Sequence, residues 1–293
     1  MSVAMSTIEH RFESERPLLM GLAYRMLGSR HAAEDIVQEA YLRWSKQHEV
    51  VANPRAWLST VVTRLALDHC KSAEEQRKQY IGSWLPDPLC DSHTDPQHLL
   101  ELDQSITMAL LALLEQLTPG ERAAFILHDL FDFSFQDIAV MLDKPEATCR
   151  KLASRSRNRI RQQPVASSVK SNEHSAMVTA FFSAIREANT SELVTLLSED
   201  IVFKADGGGK ATAVRRILRG RSDVVDWIQR VMLPHYSDPG VMLSYRIQRF
   251  NGAPGLLIFE AHKLVTAFSF VVDESGIRQI DALRNPDKLQ WLV

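Results

Sequence analysis

Residues 32–44 (Ala-Ala-Glu-Asp-Ile-Val-Gln-Glu-Ala-Tyr-Leu-Arg-Trp) set the terms for the first part of this chain. They hold neither Pro nor Gly and are rich in strong helix formers, so they predict a helix. Ile36, Val37, Ala40, Tyr41 and Trp44 recur at helical spacing and give it an apolar stripe to bury. Asp35, Gln38, Glu39 and Leu42 fall on a second stripe, at i, i+3, i+4 and i+7. That face is compact, acidic and amide-bearing. Taken alone it reads as a solvated helix face, so its neighbours must decide what it does.

The neighbours are helical too. Residues 12–27 carry Leu18, Leu19, Leu22, Ala23, Met26 and Leu27 at helical spacing, and Gly28-Ser29 ends the run. After a polar connection, Asn53-Pro54 opens a third helix reaching to about residue 78, with Pro near its first turn. Trp57, Leu58, Val61, Val62, Leu65 and Ala66 are expected to point inward, leaving Arg55, Thr60, Arg64, Asp68 and Lys71 on other faces. Three helices around one small core make a first domain over residues 8–80. A chain of 293 residues should hold two or three domains.

Farther on, residues 99–117 read as a Leu-rich helix. Thr118-Pro-Gly-Glu121 is a capping box with Pro at the first helical position, and Ser134-Phe-Gln-Asp137 is a second Ser-x-x-acid cap. A short turn at Asp143-Lys144 then leads into a last helix, a helix-turn-helix pattern over residues 99–163. The net charge of -2 argues against a generally basic nucleic-acid binder, but charge is segregated. Between Met141 and Gln163 seven basic residues face two acids, and a local basic stripe is the footprint that phosphate binding needs. Glu146, Thr148, Arg150 and Lys151 open the second helix, where base edges are read. Arg155, Arg157, Arg159 and Arg161 farther along suit phosphates.

Two stretches break the helical pattern. Residues 81–98 contain three prolines and the run Trp84-Leu-Pro-Asp-Pro88, which predicts an extended spacer. Trp84 and Leu85 are large apolar residues that a mere spacer does not need, so they should dock on something. A Ser-rich linker at residues 164–172 precedes a part of different character, residues 173–293. It reads as three helices (176–188, 191–197 and 221–231), a strand at 201–205, and strands at 241–250, 256–260, 264–273 and 277–283. That order predicts an α+β sheet curved around helices. Asp206-Gly-Gly-Gly-Lys210 lacks the Gly-x-x-x-x-Gly-Lys-Ser/Thr spacing of a phosphate loop, so its glycines are read as letting a loop lie flat against a surface.

On these residues a family resemblance rests. Residues 23–44 followed by 53–68 resemble region 2 of an extracytoplasmic-function (ECF) RNA polymerase sigma factor. Residues 117–125 with the phased Ser134-Phe-Gln-Asp-Ile-Ala139 resemble region 4 of the same family. Trp84-Leu-Pro-Asp-Pro88, Asp206–Lys210 and Asn285-Pro-Asp-Lys-Leu289 resemble signatures of the subgroup with a fused C-terminal SnoaL-like, nuclear-transport-factor-2-like cone, similar to sigma-J-type factors. The implied fold is two all-α sigma domains plus an α+β cone. The implied partners are core RNA polymerase at Asp35, Gln38, Glu39 and Leu42, and promoter DNA. The −10 element falls to the 46–53 loop with Asn53, Arg55, Trp57, Thr60, Arg64 and Lys71. The −35 element falls to Glu146, Thr148, Arg150, Lys151, Arg155 and Arg157.

The resemblance further implies control in cis by the cone, through Trp84, Leu85, Pro86, Asp87 and Pro88, through Asp206, Gly207, Gly208, Gly209 and Lys210, and through Asn285, Pro286, Asp287, Lys288 and Leu289. The alternative is a small-molecule effector held in the cone, or an isomerase-cyclase type of enzyme using Asp206, Tyr245, His262, Asp281 and Arg284. The main expectation is no catalysis and no cofactor. Cys70, Cys90 and Cys149 form no metal pattern or disulfide framework, which suits a reducing cytoplasm. The polar N-terminus lacks a signal peptide's apolar core, and no apolar run approaches the roughly 20 residues that span a bilayer.

Overall fold

The computed structural model describes residues 2–47, 51–77, 79–90, 107–162 and 169–292. The expectations placed on residues 48–50, 91–106 and 163–168 lie outside them. The described residues form two units: 2–77 with 111–162, and 79–90 with 107–110 and 169–292.

In the first unit, α1 (Ser2–Leu27), α2 (Arg30–Ser45) and α3 (Pro54–Arg77) surround one core. Leu19, Leu22 and Met26 of α1 are buried with Ile36, Val37, Ala40 and Trp44 of α2 and Leu58, Val62 and Ala66 of α3. Helix α1 starts earlier than the pattern from residue 12 suggests and keeps Pro17 inside it. A proline forfeits one backbone hydrogen bond. Buried Phe12 on one side of Pro17 and Leu19 on the other hold the helix together there. Asn53 caps α3, its Oδ1 accepting from the Ala56 N–H at 3.0 Å. Trp57, Val61 and Leu65 were expected inside but are only half-buried, because they lie on the flank of α3 rather than its centre.

The rest of this unit comprises α4 (Met108–Leu114), which begins at the boundary, α5 (Pro119–Phe125), α6 (Phe135–Leu142) and α7 (Glu146–Arg161). The capping box forms as its spelling requires: Thr118 accepts from the Glu121 N–H while Glu121 reaches back to the Thr118 backbone. Helix α5 runs on into one π-helical turn, Ile126–Leu130. Ser134 caps α6 through the Asp137 N–H. The helix-turn-helix turn holds Asp143 in the left-handed conformation at φ 51°, as a short polar side chain permits. Buried Arg122 ties the two halves together by donating to the Met26 carbonyl, at the end of α1, at 2.7 Å. Its charge is met by Glu115 at 2.6 Å.

The second unit is an α+β cone. Helices α8 (Ser171–Arg186), α9 (Thr190–Leu196), α10 (Arg221–Trp227, extended by a π-helical turn Ile228–Met232) and α11 (Leu233–Tyr236) accompany one six-stranded sheet. Its strands are β1 (Leu197–Asp206), β2 (Leu218–Arg219), β3 (Leu243–Phe250), β4 (Ala253–Glu260), β5 (Lys263–Asp273) and β6 (Gly276–Leu283), in the order β2-β1-β6-β5-β4-β3. Among the described strands only the β1–β6 pair is parallel. Alternate residues Ile201, Phe203 and Ala205, Leu256 and Ile258, Phe268 and Phe270, and Ile280 and Ala282 join Phe181, Ile185, Val224 and Ile228 in one core. The short elements β2, α11 and α12 (Pro286–Leu289) were not foreseen, each too brief to leave a periodic pattern. His262 sits in the β4–β5 turn with φ 66°, between the two strands.

Candidate docking faces and the linker clasp

The expected polymerase face of α2 is open. Asp35, Gln38 and Leu42 are exposed and Glu39 is partly so, while Ala33, Ile36, Val37, Ala40 and Trp44 fill the opposite side. The charges on that face are lightly held by neighbours on the same helix: Glu39 meets Arg43 at 2.8 Å and Asp35 meets His31 at 3.6 Å. Pairs so exposed contribute about 0–1 kcal/mol and can exchange for a partner's groups.

Four of the six −10 candidates converge. Asn53, Trp57, Thr60 and Arg64 line one groove of about 660 Å³ with Arg43, Val51, Ala56, Val61 and Val140. Trp57 packs its ring 5.5 Å from that of Trp44, so this side chain belongs both to the core and to the groove. Arg55 and Lys71 stand apart from it, and Lys71 is paired with Asp68 at 2.9 Å. Arg64 is already engaged: it donates to the carbonyls of Met141 at 3.2 Å and Val140 at 2.9 Å, at the end of α6. The end of a helix leaves carbonyls without intrahelical partners, and a guanidinium satisfies them. Sequence reading could not reveal this contact, because it joins residues far apart in the chain.

On α7, Glu146, Arg150, Lys151 and Arg155 are exposed and Thr148 is half-buried. Glu146 accepts from Arg150 at 2.6 Å, and the Arg150 guanidinium lies 4.6 Å from the centre of the Phe135 ring. Arg157 is held by Asp129 at 2.6 Å and Arg159 by the capping residue Glu121 at 3.2 Å. Those two arginines therefore also brace the domain, which the basic count along the sequence did not distinguish.

The three short motifs of the second unit come together around Asp206, which has no solvent exposure. Its carboxylate accepts from the Tyr80 hydroxyl at 2.5 Å, the Leu85 N–H at 3.0 Å, the Gly208 N–H at 3.0 Å and Lys288 Nζ at 2.9 Å. Its carbonyl accepts from the N–H groups of Arg284 and Asn285. Lys288 in turn donates to the Leu85 carbonyl, lies 3.8 Å from Asp87 Oδ1 and sits 4.0 Å from the Trp84 ring centre. Asn285 caps α12 through the Asp287 N–H and gives its side-chain N–H to Tyr80 at 3.1 Å. Lys210 reaches Asp287 at 2.5 Å. Burial and the adjacent Asp206 raise the Tyr80 hydroxyl above its ordinary pKa, keeping it a donor.

The glycines are explained by closeness. A Cβ on Gly208 would sit 2.4 Å from Asn285 Nδ2, and one on Gly209 would sit 3.1 Å from Ile81. Both residues have positive φ, so only glycine fits without strain. Leu85, Pro86, Asp87 and Pro88 are buried, and Leu89 exchanges hydrogen bonds with Asn251 in the β3–β4 turn. Residues 80–90 are thus a docked strap rather than the spacer that proline content alone describes. Tyr80 carried no motif that would have marked it, and Asn251 carried only the Asn-Gly spelling of a hairpin turn.

The enzymatic candidates do not gather. Asp206 belongs to the clasp, Tyr245 is half-exposed against Phe182, and His262 is exposed in a turn. Asp281 is buried beside Gln279 at 2.7 Å, where burial raises its pKa. Only Arg284 lines the cone's cavity. Among the described residues no group of three or more His, Cys, Asp or Glu could hold a metal ion.

Comparison with known proteins follows the same division. Residues 11–76 match the family model for Sigma-70 region 2, and residues 107–160 match Sigma-70, region 4. The chain is 38% identical over 247 residues to the ECF RNA polymerase sigma factor SigJ of Mycobacterium tuberculosis H37Rv, spanning 83% of this chain and 78% of that one. This chain belongs to the ECF sigma factors. The sigma factor is also 31% identical over 284 residues to the probable ECF sigma factor SigI of M. tuberculosis CDC 1551, covering 96% and 94% of the two chains. The crystal structure of M. tuberculosis SigJ superimposes on it with a TM-score of 0.74 at 32% identity, over 96% of this chain and 97% of that one. Its architecture is therefore two helical sigma domains and a C-terminal α+β cone. As an ECF sigma factor it works with RNA polymerase in transcription initiation. Among the described residues no helix is long and apolar enough to cross a membrane.

Proposed function

We propose that this sigma factor is controlled in cis by its cone, through the clasp on the segment that leads from region 2 toward region 4. The observation that carries the reading is Asp206, which takes hydrogen bonds from Tyr80, Leu85 and Lys288 at once. A Pro-rich connection is semi-rigid when free. Gripping its first half fixes where region 4 can begin to separate from region 2. In this reading Asp35, Gln38, Glu39 and Leu42 dock on core polymerase. The Asn53–Trp57–Thr60–Arg64 groove, with Arg55 and Lys71 beside it, takes the −10 element, an extruded base being held in a pocket against basic and aromatic groups. Glu146, Thr148, Arg150 and Lys151 read the −35 element, with Arg155 and Arg157 on phosphates. Arg64 must leave the Val140 and Met141 carbonyls before it can meet DNA. The cone is read as regulatory rather than catalytic, since the acid–base candidates are dispersed.

Run-off transcription with core polymerase tests the reading. The full chain is compared with Asp206→Ala and with a chain ending at Arg284, which lacks the tail motif. Transcript yield is expected to change several-fold in both. Equal yield from all three would remove the cone from control. Asp35→Ala with Gln38→Ala is expected to abolish core binding in a pull-down, and intact binding would overturn the assignment of that face.

A further inference from the structure

The cone encloses a cavity of about 440 Å³ that the clasp does not use. Its wall is largely apolar, with Phe203, Trp227, Met232 and Phe268 prominent, and Val231, 45% exposed, stands where it opens. The volume lies within the roughly 300–1,000 Å³ of small-molecule sites. The polar groups in the lining are mostly committed. His235 is paired with Glu260 at 2.7 Å, and the Tyr236 hydroxyl is bonded to Thr266 at 3.1 Å. Arg284 is the exception. One arm donates to the Thr212 carbonyl at 2.6 Å, but its Nε is buried with no hydrogen-bond partner among the described residues. A buried donor left without an acceptor is costly, and a guanidinium edge is shaped to meet a carboxylate with two parallel hydrogen bonds.

We propose that this cavity binds a small amphipathic carboxylate, its apolar body against the aromatic wall and its anionic head on Arg284. This goes beyond control by the clasp and does not depend on it. A ligand with one charged group and a planar apolar body matches one guanidinium in an apolar chamber. A polyanion would leave its remaining charges against Phe and Met side chains.

The test is isothermal titration calorimetry of the full chain with 2-naphthylacetate and with the matched neutral alcohol, 2-naphthaleneethanol. The acid is expected to bind at least about tenfold tighter than the alcohol, the size of a charge-assisted hydrogen-bonded pair. Arg284→Met should bring the acid to the alcohol's affinity and leave the alcohol unchanged. Val231→Trp, at an exposed position that should not disturb folding, should abolish both. Equal affinity of acid and alcohol, no heat from either at millimolar concentration, or acid binding indifferent to Arg284→Met would each overturn the proposal. If Arg284→Met fails to fold, the acid–alcohol ratio and Val231→Trp decide.

Discussion

Arg150 in the helix-turn-helix and Lys288 in the clasp have the same two companions, a carboxylate and an aromatic ring. Arg150 meets Glu146 at 2.6 Å and the Phe135 ring at 4.6 Å, and Lys288 meets Asp206 at 2.9 Å and the Trp84 ring at 4.0 Å. They differ in water. The Arg150 side chain is 61% exposed and that of Lys288 is 11% exposed. A solvated pair is screened and contributes about 0–1 kcal/mol, so its members are free to change partners when a phosphate or base arrives. A buried pair is different: removing one member strands the other in a poor solvent for charge. In the proposed reading the same contact geometry serves exchange in the helix-turn-helix and retention in the clasp.

The largest test of this contrast is Lys288→Met. It leaves Asp206 buried without the Lys288 cation and should cost about 3–5 kcal/mol in urea unfolding of the full chain followed by tryptophan emission. Adding Asp206→Asn should recover part of the loss, since removing both charges is milder than removing one. A cost below about 1 kcal/mol would place Lys288 in the same class as Arg150. Next is Gly208→Ala, which forces a methyl group to within 2.4 Å of Asn285 at a φ of 60°. It should cost about 1–3 kcal/mol and raise amide exchange in residues 80–90.

His174 extends the burial side of the comparison to a group with no counter-ion. It is 2% exposed, and burial, with Arg249 second, lowers its pKa to about 4. The folded chain therefore refuses a proton that the unfolded chain takes near pH 6.5. Its contribution to stability is complete above pH 6.5 and is lost as pH falls toward 4. The melting temperature of His174→Gln should depend less steeply on pH across that window. An unchanged slope would remove His174 from the account. Smallest is Glu146→Ala, expected to alter unfolding by less than about 1 kcal/mol while changing −35 DNA affinity in a binding titration. A large stability loss would show that Arg150 is not held for exchange.

Much of the fold was legible because it is written locally. The capping spellings at Thr118 and Ser134, the apolar stripes of α1 to α3 and the short apolar runs of β4 to β6 all act over a few residues. So did the motifs of the site: each of Trp84–Pro88, Asp206–Lys210 and Asn285–Leu289 was visible as a stretch. Their meeting point was not, since Tyr80 and Asp206 are 126 positions apart and nothing at Tyr80 signals a partner. Arg64 was legible as a cation on an outer face but not as a ligand of helix carbonyls. The five ionisable residues of the enzymatic alternative, His262 among them, show the converse. Chemistry-bearing residue types do not make a site until a backbone brings them together.

The parallel pairing of β1 with β6 has a consequence for how this cone can vary. Ala205 stands opposite Ala282 and Asp206 opposite Leu283, so both strands run out at the same edge. There the chain sorts its residues by parity: Ala205 and Arg284 line the chamber, while their successors Asp206 and Asn285 join the strap. Everything between the two strand ends departs from this edge and returns to it. Insertions in the intervening turns should enlarge or reshape the chamber while leaving the seam intact. A single residue inserted within β6 would shift the parity and send Asn285 to the wrong face. The chamber is thus free to diverge in what it accepts, while the seam beside it stays fixed by count.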